Sequence, residues 1–139
     1  MDEKMHQRFK GVRFSEDQTS MFADIVETDT ALKRIFMTIV KLSVDNKDDA
    51  TGGAVTIKQL LEHVKLTRKV QTNDEGQKKY KLMDAPIDRK QAERKMDVLF
   101  KMSLCYYVSV APAKLIYPTE RGTAVCSELL KRVKSNKIN

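Results

Sequence analysis

Twice in this chain a helix-start signature runs straight into a short apolar stripe. Thr56 is followed three residues later by Gln59, and Asp88 three residues later by Gln91. In such a box the first side chain accepts from the N3 amide, and the third can reach back to the N–H of the cap. Val55 with Leu60, and Ile87 with Ala92, stand at the flanking staple positions. The spacing predicts helices over about 56–64 and 88–102. The first buries Ile57, Leu60, Leu61 and Val64. In the second, at about 100° per residue, Ala92, Met96, Leu99 and Phe100 share one face. Lys90, Arg94 and Lys101 point the opposite way, with Gln91 at the edge of that face and Arg89 and Lys95 on its flanks. A chain so marked folds two short helices onto one core and turns a basic face of the second outward.

The remaining elements read around that pair. Ser15 ahead of Met21, Phe22, Ile25 and Val26 predicts a helix over about 15–27, and a second starts near Asp29 or Thr30. Leu32, Ile35, Phe36, Ile39, Val40 and Leu42 recur in the latter at three- and four-residue spacing. The run 45–49 and then Gly52-Gly53 ends it in a loop. After Ser103 the period turns extended: Cys105 to Val110 and Lys114 to Tyr117 flank Ala111-Pro112-Ala113, which predicts a hairpin. Pro118 and Thr119 open a last helix with Val125, Leu129, Leu130 and Val133 as its stripe. Between the two capped helices lies a polar, basic segment with a turn at Asn73, Asp74 and Gly76. It reads as a further hairpin, with Val70 on one arm and Tyr80 and Leu82 on the other. The expected organisation is a flexible basic arm (1–14), one domain (15–135) with an insertion at 65–86, and a tail (136–139). The fold class is α+β, mostly helical.

At 139 residues, with 41% hydrophobic and 32% charged residues, the chain has apolar content for one core and too much for a disordered tail. Cys105 and Cys126 sit among apolar neighbours and make no disulfide framework. His6 and His63 lack ligand-spaced partners, so no metal site is expected. Phosphate loops, paired-histidine helices and nucleophile elbows are absent from the sequence. No catalytic residues and no cofactor are therefore expected, and the chain reads as a non-enzyme. It has neither an apolar run of membrane-spanning length nor the apolar run of a secretory signal, so a cytoplasmic location is expected.

Charge carries the first positive indication. The formal net charge is +7, but it is unevenly spread. Residues 15–49 hold eight acids and four bases, residues 65–101 eleven bases and six acids, and residues 114–139 six bases and two acids. One-sided positive charge suits a polyanion, because each neutralised phosphate releases condensed counterions.

The order of helix, short capped helix, second capped helix with a basic face, hairpin and helix resembles a winged helix-turn-helix domain. Thr56 to Leu61 resembles the first helix of that motif, and Asp88 to Leu99 its recognition helix. Tyr117-Pro118-Thr119-Glu120-Arg121-Gly122 is similar to the tyrosine-(leucine)-threonine-x-x-glycine that closes the wing in multiple-antibiotic-resistance-type regulators. The chain also resembles the small centromere-binding proteins of plasmid partition systems.

The resemblance implies a sequence-specific, double-stranded DNA-binding homodimer, with the 88–102 helix in the major groove. It would act as a transcriptional regulator or as a plasmid or phage partition or replication factor, associated with the nucleoid or a plasmid. Arg89, Lys90, Gln91, Arg94 and Lys95 would face the groove, unless Gln91 is spent on its own cap. Lys58 and Lys114 would hold phosphates, and Lys65, Arg68 and Lys69 would add sequence-independent attraction. Met21, Phe22, Leu129 and Leu130 are the candidate dimer contacts, with intramolecular core as their alternative. More than twenty residues separate the two motif helices where three or four are usual. With the uncharged hairpin tip and the outward Asp97, this keeps a second reading open: an interaction module that binds an acidic protein partner.

Overall fold

Side-chain caps set the start of nearly every helix. The computed structural model describes residues 1–74 and 76–138. Along the chain run α1 (Glu3–Phe9), α2 (Glu16–Glu27), α3 (Thr30–Asp45), α4 (Ile57–His63), β1 (Lys65–Asp74), β2 (Gln77–Pro86), α5 (Arg89–Lys101), β3 (Cys105–Val110), β4 (Ala113–Pro118) and α6 (Glu120–Ile138). The fold is α+β, with two separate antiparallel hairpins, β1–β2 and β3–β4. Ser15 and Thr56 make reciprocal capping boxes with Gln18 and Gln59. Asp2, Asp29 and Asp88 cap α1, α3 and α5 through single carboxylate bonds to Met5, Leu32 and Gln91 amides. Each such cap satisfies a donor that the first turn would otherwise leave unpaired.

α3 is the central element, packing against α2, α4, α5, α6 and β4. Its stripe of Leu32, Ile35, Phe36, Ile39 and Leu42 is buried. Leu60, Leu99, Leu104, Ile116, Val125 and Leu129 close the core around it with no exposed surface. The loop after α3 is tied back by Ser43, whose hydroxyl donates to Gly53 O at 2.7 Å, and by Asn46 Nδ2 on Ala54 O. Gly53 (φ +95°) passes so close to Ser43 O that a Cβ would lie 2.9 Å from it.

Each edge of the β3–β4 hairpin carries one isolated bridge. Val55 and Ile116 exchange two backbone hydrogen bonds of 2.9 Å, which adds a one-residue strand beside β4. On the other edge the Tyr107 amide donates to Met1 O. β1–β2 is different: it pairs in unbroken register from Lys65↔Pro86 to Asp74↔Gln77. At its base Ile87 N donates to Val64 O, and Arg34 Nη1 donates to Lys65 O at 2.7 Å.

The N-terminus departs from the expected flexible arm. Residues 3–9 are helical, the His6 ring stacks on Tyr106 at 3.6 Å, and Arg121 donates to the carbonyls of Phe9 and Val12. Seven residues are too few to show a periodic stripe, and α1 is held by contacts from far along the chain. At the other end α6 continues through Ile138, so 136–138 extend a helix; Asn139 lies outside the described residues.

Candidate nucleic-acid interface

α5 is anchored on one side and open on the other. Ala92, Met96, Leu99 and Phe100 are buried, as the spacing predicted. On the outer face Lys90, Arg94 and Lys101 are exposed and form no ion pair among the described residues. Gln91 adjoins them. The Asp88 carboxylate accepts from the Gln91 amide at 2.8 Å, but Gln91 makes no return bond to the cap, so its carboxamide remains uncommitted. Asp88, Lys90, Gln91, Arg94 and Lys95 surround a shallow hollow of about 320 Å³ at the helix start.

Two of the expected contacts are engaged within the chain. Lys95 is half-buried and its ammonium binds the Asp29 carboxylate at the cap of α3. Burial alone would raise the Asp29 carboxyl, but the hydrogen bonds from Lys95 and Leu32 and the Lys95 charge together hold it below its ordinary value. Lys95 thus works as a tie between α5 and α3, not as a free cation on the outer face. Arg89 pairs with Glu93 one turn on, Nε to Oε1 at 3.1 Å. Both are well exposed, and such pairs contribute only about 0–1 kcal/mol, so Arg89 can exchange its partner.

A groove of about 570 Å³ runs between the start of α4, α5 and the tip of β3–β4. Lys58, Arg89 and Lys114 line it, together with Glu93 and Asp97. Lys114 Nζ lies over the Tyr107 ring at 4.6 Å, which keeps its charge beside the hairpin face. Lys65 and Lys69 are exposed on the β1–β2 hairpin with Lys78 and Lys81. Tyr80 and Leu82 are 69% and 67% exposed on the same hairpin. Arg68 falls on β1, and its side chain lies outside the described residues.

The four candidate dimer contacts separate. Leu129 has no exposed surface and belongs to the core of its own chain, so it is not available to a partner. Phe22 is half-buried and stacks on Phe14 at 4.5 Å. Met21 and Leu130 are each about half exposed, on the packed pair α2 and α6.

Arg121 was not singled out from sequence. It is 3% exposed, and its Nη2 has no hydrogen-bond partner among the described residues. Only its position beside a threonine-x-x-glycine turn gave any signal. Cys105 is fully enclosed, and burial pushes its thiol up to about 12, which leaves it protonated at neutral pH. No helix among the described residues is long and apolar enough to cross a membrane. No family model, no curated protein and no solved structure matches this chain.

Proposed function

We propose that this chain binds double-stranded DNA as a winged helix-turn-helix protein, with α4 and α5 as the motif helices and β3–β4 as the wing. The observation that carries the reading is the outer face of α5, where Lys90, Gln91 and Arg94 have no side-chain partner among the described residues and stand beside a helix start. A helix of this width fits the major groove, where arginine forks onto guanine O6 and N7 and glutamine onto adenine N6 and N7. Lys58 and Lys114 flank that face and neutralise phosphates. The lysines of β1–β2 extend the positive track. Val55, added beside β4, is where the short first strand of a winged-helix sheet would run.

A homodimer built on α2 and α6 through Met21 and Leu130 belongs to the same proposal, because one recognition helix reads few base pairs. The biological role is then repression or activation of a promoter, or partition or replication of a plasmid or phage. The test is fluorescence anisotropy of a labelled random duplex over a salt series. Binding that weakens steeply with salt is expected, as is its loss in Arg94→Glu with an unchanged circular dichroism spectrum. Absence of binding at low salt would reject the proposal. Glu93 and Asp97 in the groove favour the second reading, an interaction module for an acidic protein partner that contacts the basic residues outside that groove. In that case Arg94→Glu loses the protein partner while the wild-type chain shows no DNA binding.

A further inference from the structure

The β1–β2 hairpin carries large apolar side chains on a face that the core does not cover. Residues directly opposite in an antiparallel pair share one face. The pairing of Thr67 with Asp84, Lys69 with Leu82 and Gln71 with Tyr80 therefore puts all six on one side of the ribbon, and the Thr67 hydroxyl donates to the Asp84 carboxylate across it. Leu66 belongs to the opposite side by strand alternation and packs against the core, so at the base the first face is turned away from it. Tyr80 is 69% and Leu82 67% exposed on that outer face, two positions and so about 7 Å apart. Lys65, Lys69 and Lys78 share the face, are exposed, and form no ion pair among the described residues.

What meets this face must accept cations and apolar groups together. Residues 65–86 hold six bases and three acids, so two such hairpins repel, which opposes pairing between copies of this chain at their edges. Position favours a duplex. Only Ile87 and Asp88 lie between β2 and α5, so the ribbon is rooted at the helix start that carries Lys90, Gln91 and Arg94. Ten residues in each strand give it a length of about 30 Å. That is enough to pass beyond a major groove about 12 Å wide, and the next recess along a duplex is the minor groove. Lysines alone suffice for phosphates. Tyr80 and Leu82 need an apolar surface, and the minor groove offers one between its stacked bases, once a step is opened.

From these observations we infer that β1–β2 is a second DNA-contacting element, which enters the minor groove beside α5 and bends the duplex by setting Leu82 and Tyr80 against an opened base step. Lys65, Lys69 and Lys78 hold the flanking phosphates. This role of the hairpin rests on the reading of α5 proposed above. Apolar wedges of this kind kink DNA by about 20–90° toward the major groove, and the bend brings more phosphate onto the basic surfaces. Pyrimidine–purine steps such as TA open most easily.

The experiment uses the intact protein and two short duplexes of one sequence with a central TA step, one continuous and one nicked at that step, each with a fluorescent pair on its ends. Anisotropy reads binding, and energy transfer reads bending. Energy transfer is expected to rise on binding, and the nicked duplex, which costs less to kink, is expected to bind about threefold or more tightly. Tyr80→Ser with Leu82→Ser, both at exposed positions, is expected to lose the rise and the preference for the nick while binding still weakens steeply with salt. Lys69→Gln with Lys78→Gln is expected to weaken binding to both duplexes alike. Binding without a rise in transfer, or a rise that survives the Tyr80 and Leu82 substitutions, overturns the wedge and leaves the reading of α5 standing. Absence of binding to either duplex at low salt removes both. Association instead with vesicles of equal phosphatidylserine and phosphatidylcholine, lost on the Tyr80 and Leu82 substitutions, would assign the face to a membrane surface and overturn its role on DNA.

Discussion

Gly122 stands where the first turn of α6 meets the carbonyl of Leu104; a Cβ built there would lie 2.1 Å from that oxygen. Thr119, 2% exposed, holds the same corner: its hydroxyl donates to Ser103 O at 2.7 Å and accepts from the Gly122 amide at 3.0 Å. Its own amide donates to Leu104 O, and Ser103 turns the chain with φ +62°. The threonine-x-x-glycine pattern is therefore a packing device that joins the end of α5 to the start of α6. Gly122→Ala should cost about 3 kcal/mol, as overpacking against backbone does, read as a lower urea midpoint; an unchanged midpoint would refute the close approach. His6 gives a second prediction. Burial, then the charges of Arg121 and Lys10, hold its imidazole below its ordinary value. Unfolded histidine titrates near 6.5, so between that value and the folded one the unfolded state binds more protons. Stability should fall as pH drops from about 6.5 through the folded value. A urea-midpoint series over pH should show this slope, and His6→Gln should flatten it. A slope that survives the substitution would assign it to other groups.

Among elements, α5 depends on two ties that differ in kind. Its cap, Asp88, is local and readable from sequence. Its link to α3 through Lys95 and Asp29 spans 66 positions and is not. Asp29 both caps α3 and holds Lys95, so Asp29→Ala should cost about 1–2 kcal/mol in thermal denaturation. Lys95→Ala should likewise lower stability but leave DNA affinity nearly unchanged, whereas Arg94→Ala should lower affinity and leave stability alone. Equal losses of affinity in the two variants would place Lys95 back on the contact face. The β1–β2 hairpin stands apart from the core beyond its base, where Thr67 Oγ1 donates to Asp84 Oδ1 at 2.7 Å. Replacing residues 68–83 with Asn-Gly, a favoured two-residue turn, should leave the melting temperature near that of the wild type. The excised stretch holds five bases and two acids, so DNA affinity should fall and its salt slope become shallower. Loss of the folded state on excision would show that the hairpin is integral to the core.

At the scale of the molecule, the charge imbalance written along the chain is redistributed by folding. Arg132 on α6 binds Asp24, Glu27 and Glu128, so part of the basic C-terminal excess is neutralised against the acidic α2. Among the described residues, Lys58 on α4, Lys90, Arg94 and Lys101 on α5, and Lys65 and Lys69 on β1–β2 form no ion pair. Lys58, Lys69, Lys90 and Arg94, with Lys114 over the Tyr107 ring, are the five proposed phosphate and base contacts. If all five neutralise phosphate, log affinity should fall against log salt with a slope of about −4.5. A slope near zero would mean that this surface does not meet a polyanion.

From α2 onward, helix starts, buried stripes and hairpins were legible because each depends on residues within a few positions of one another; α1 was not. Thr56 with Gln59, the α5 stripe from Ala92 to Phe100, and the turn about Ala111-Pro112-Ala113 are of this local kind. The amino-acid sequence by itself thus determined the elements from α2 to α6, their order and the basic outer face of α5. What it left open was which charged and apolar side chains find partners: Lys95 on Asp29, Arg132 on α2, Leu129 inside its own core, Arg121 reaching back to Phe9 and Val12. Those pairings join residues tens to more than a hundred positions apart, and no local pattern marks them. Only packing of the helices around α3 brings them within hydrogen-bonding distance, so only the tertiary structure decides which side chains remain free to meet another molecule.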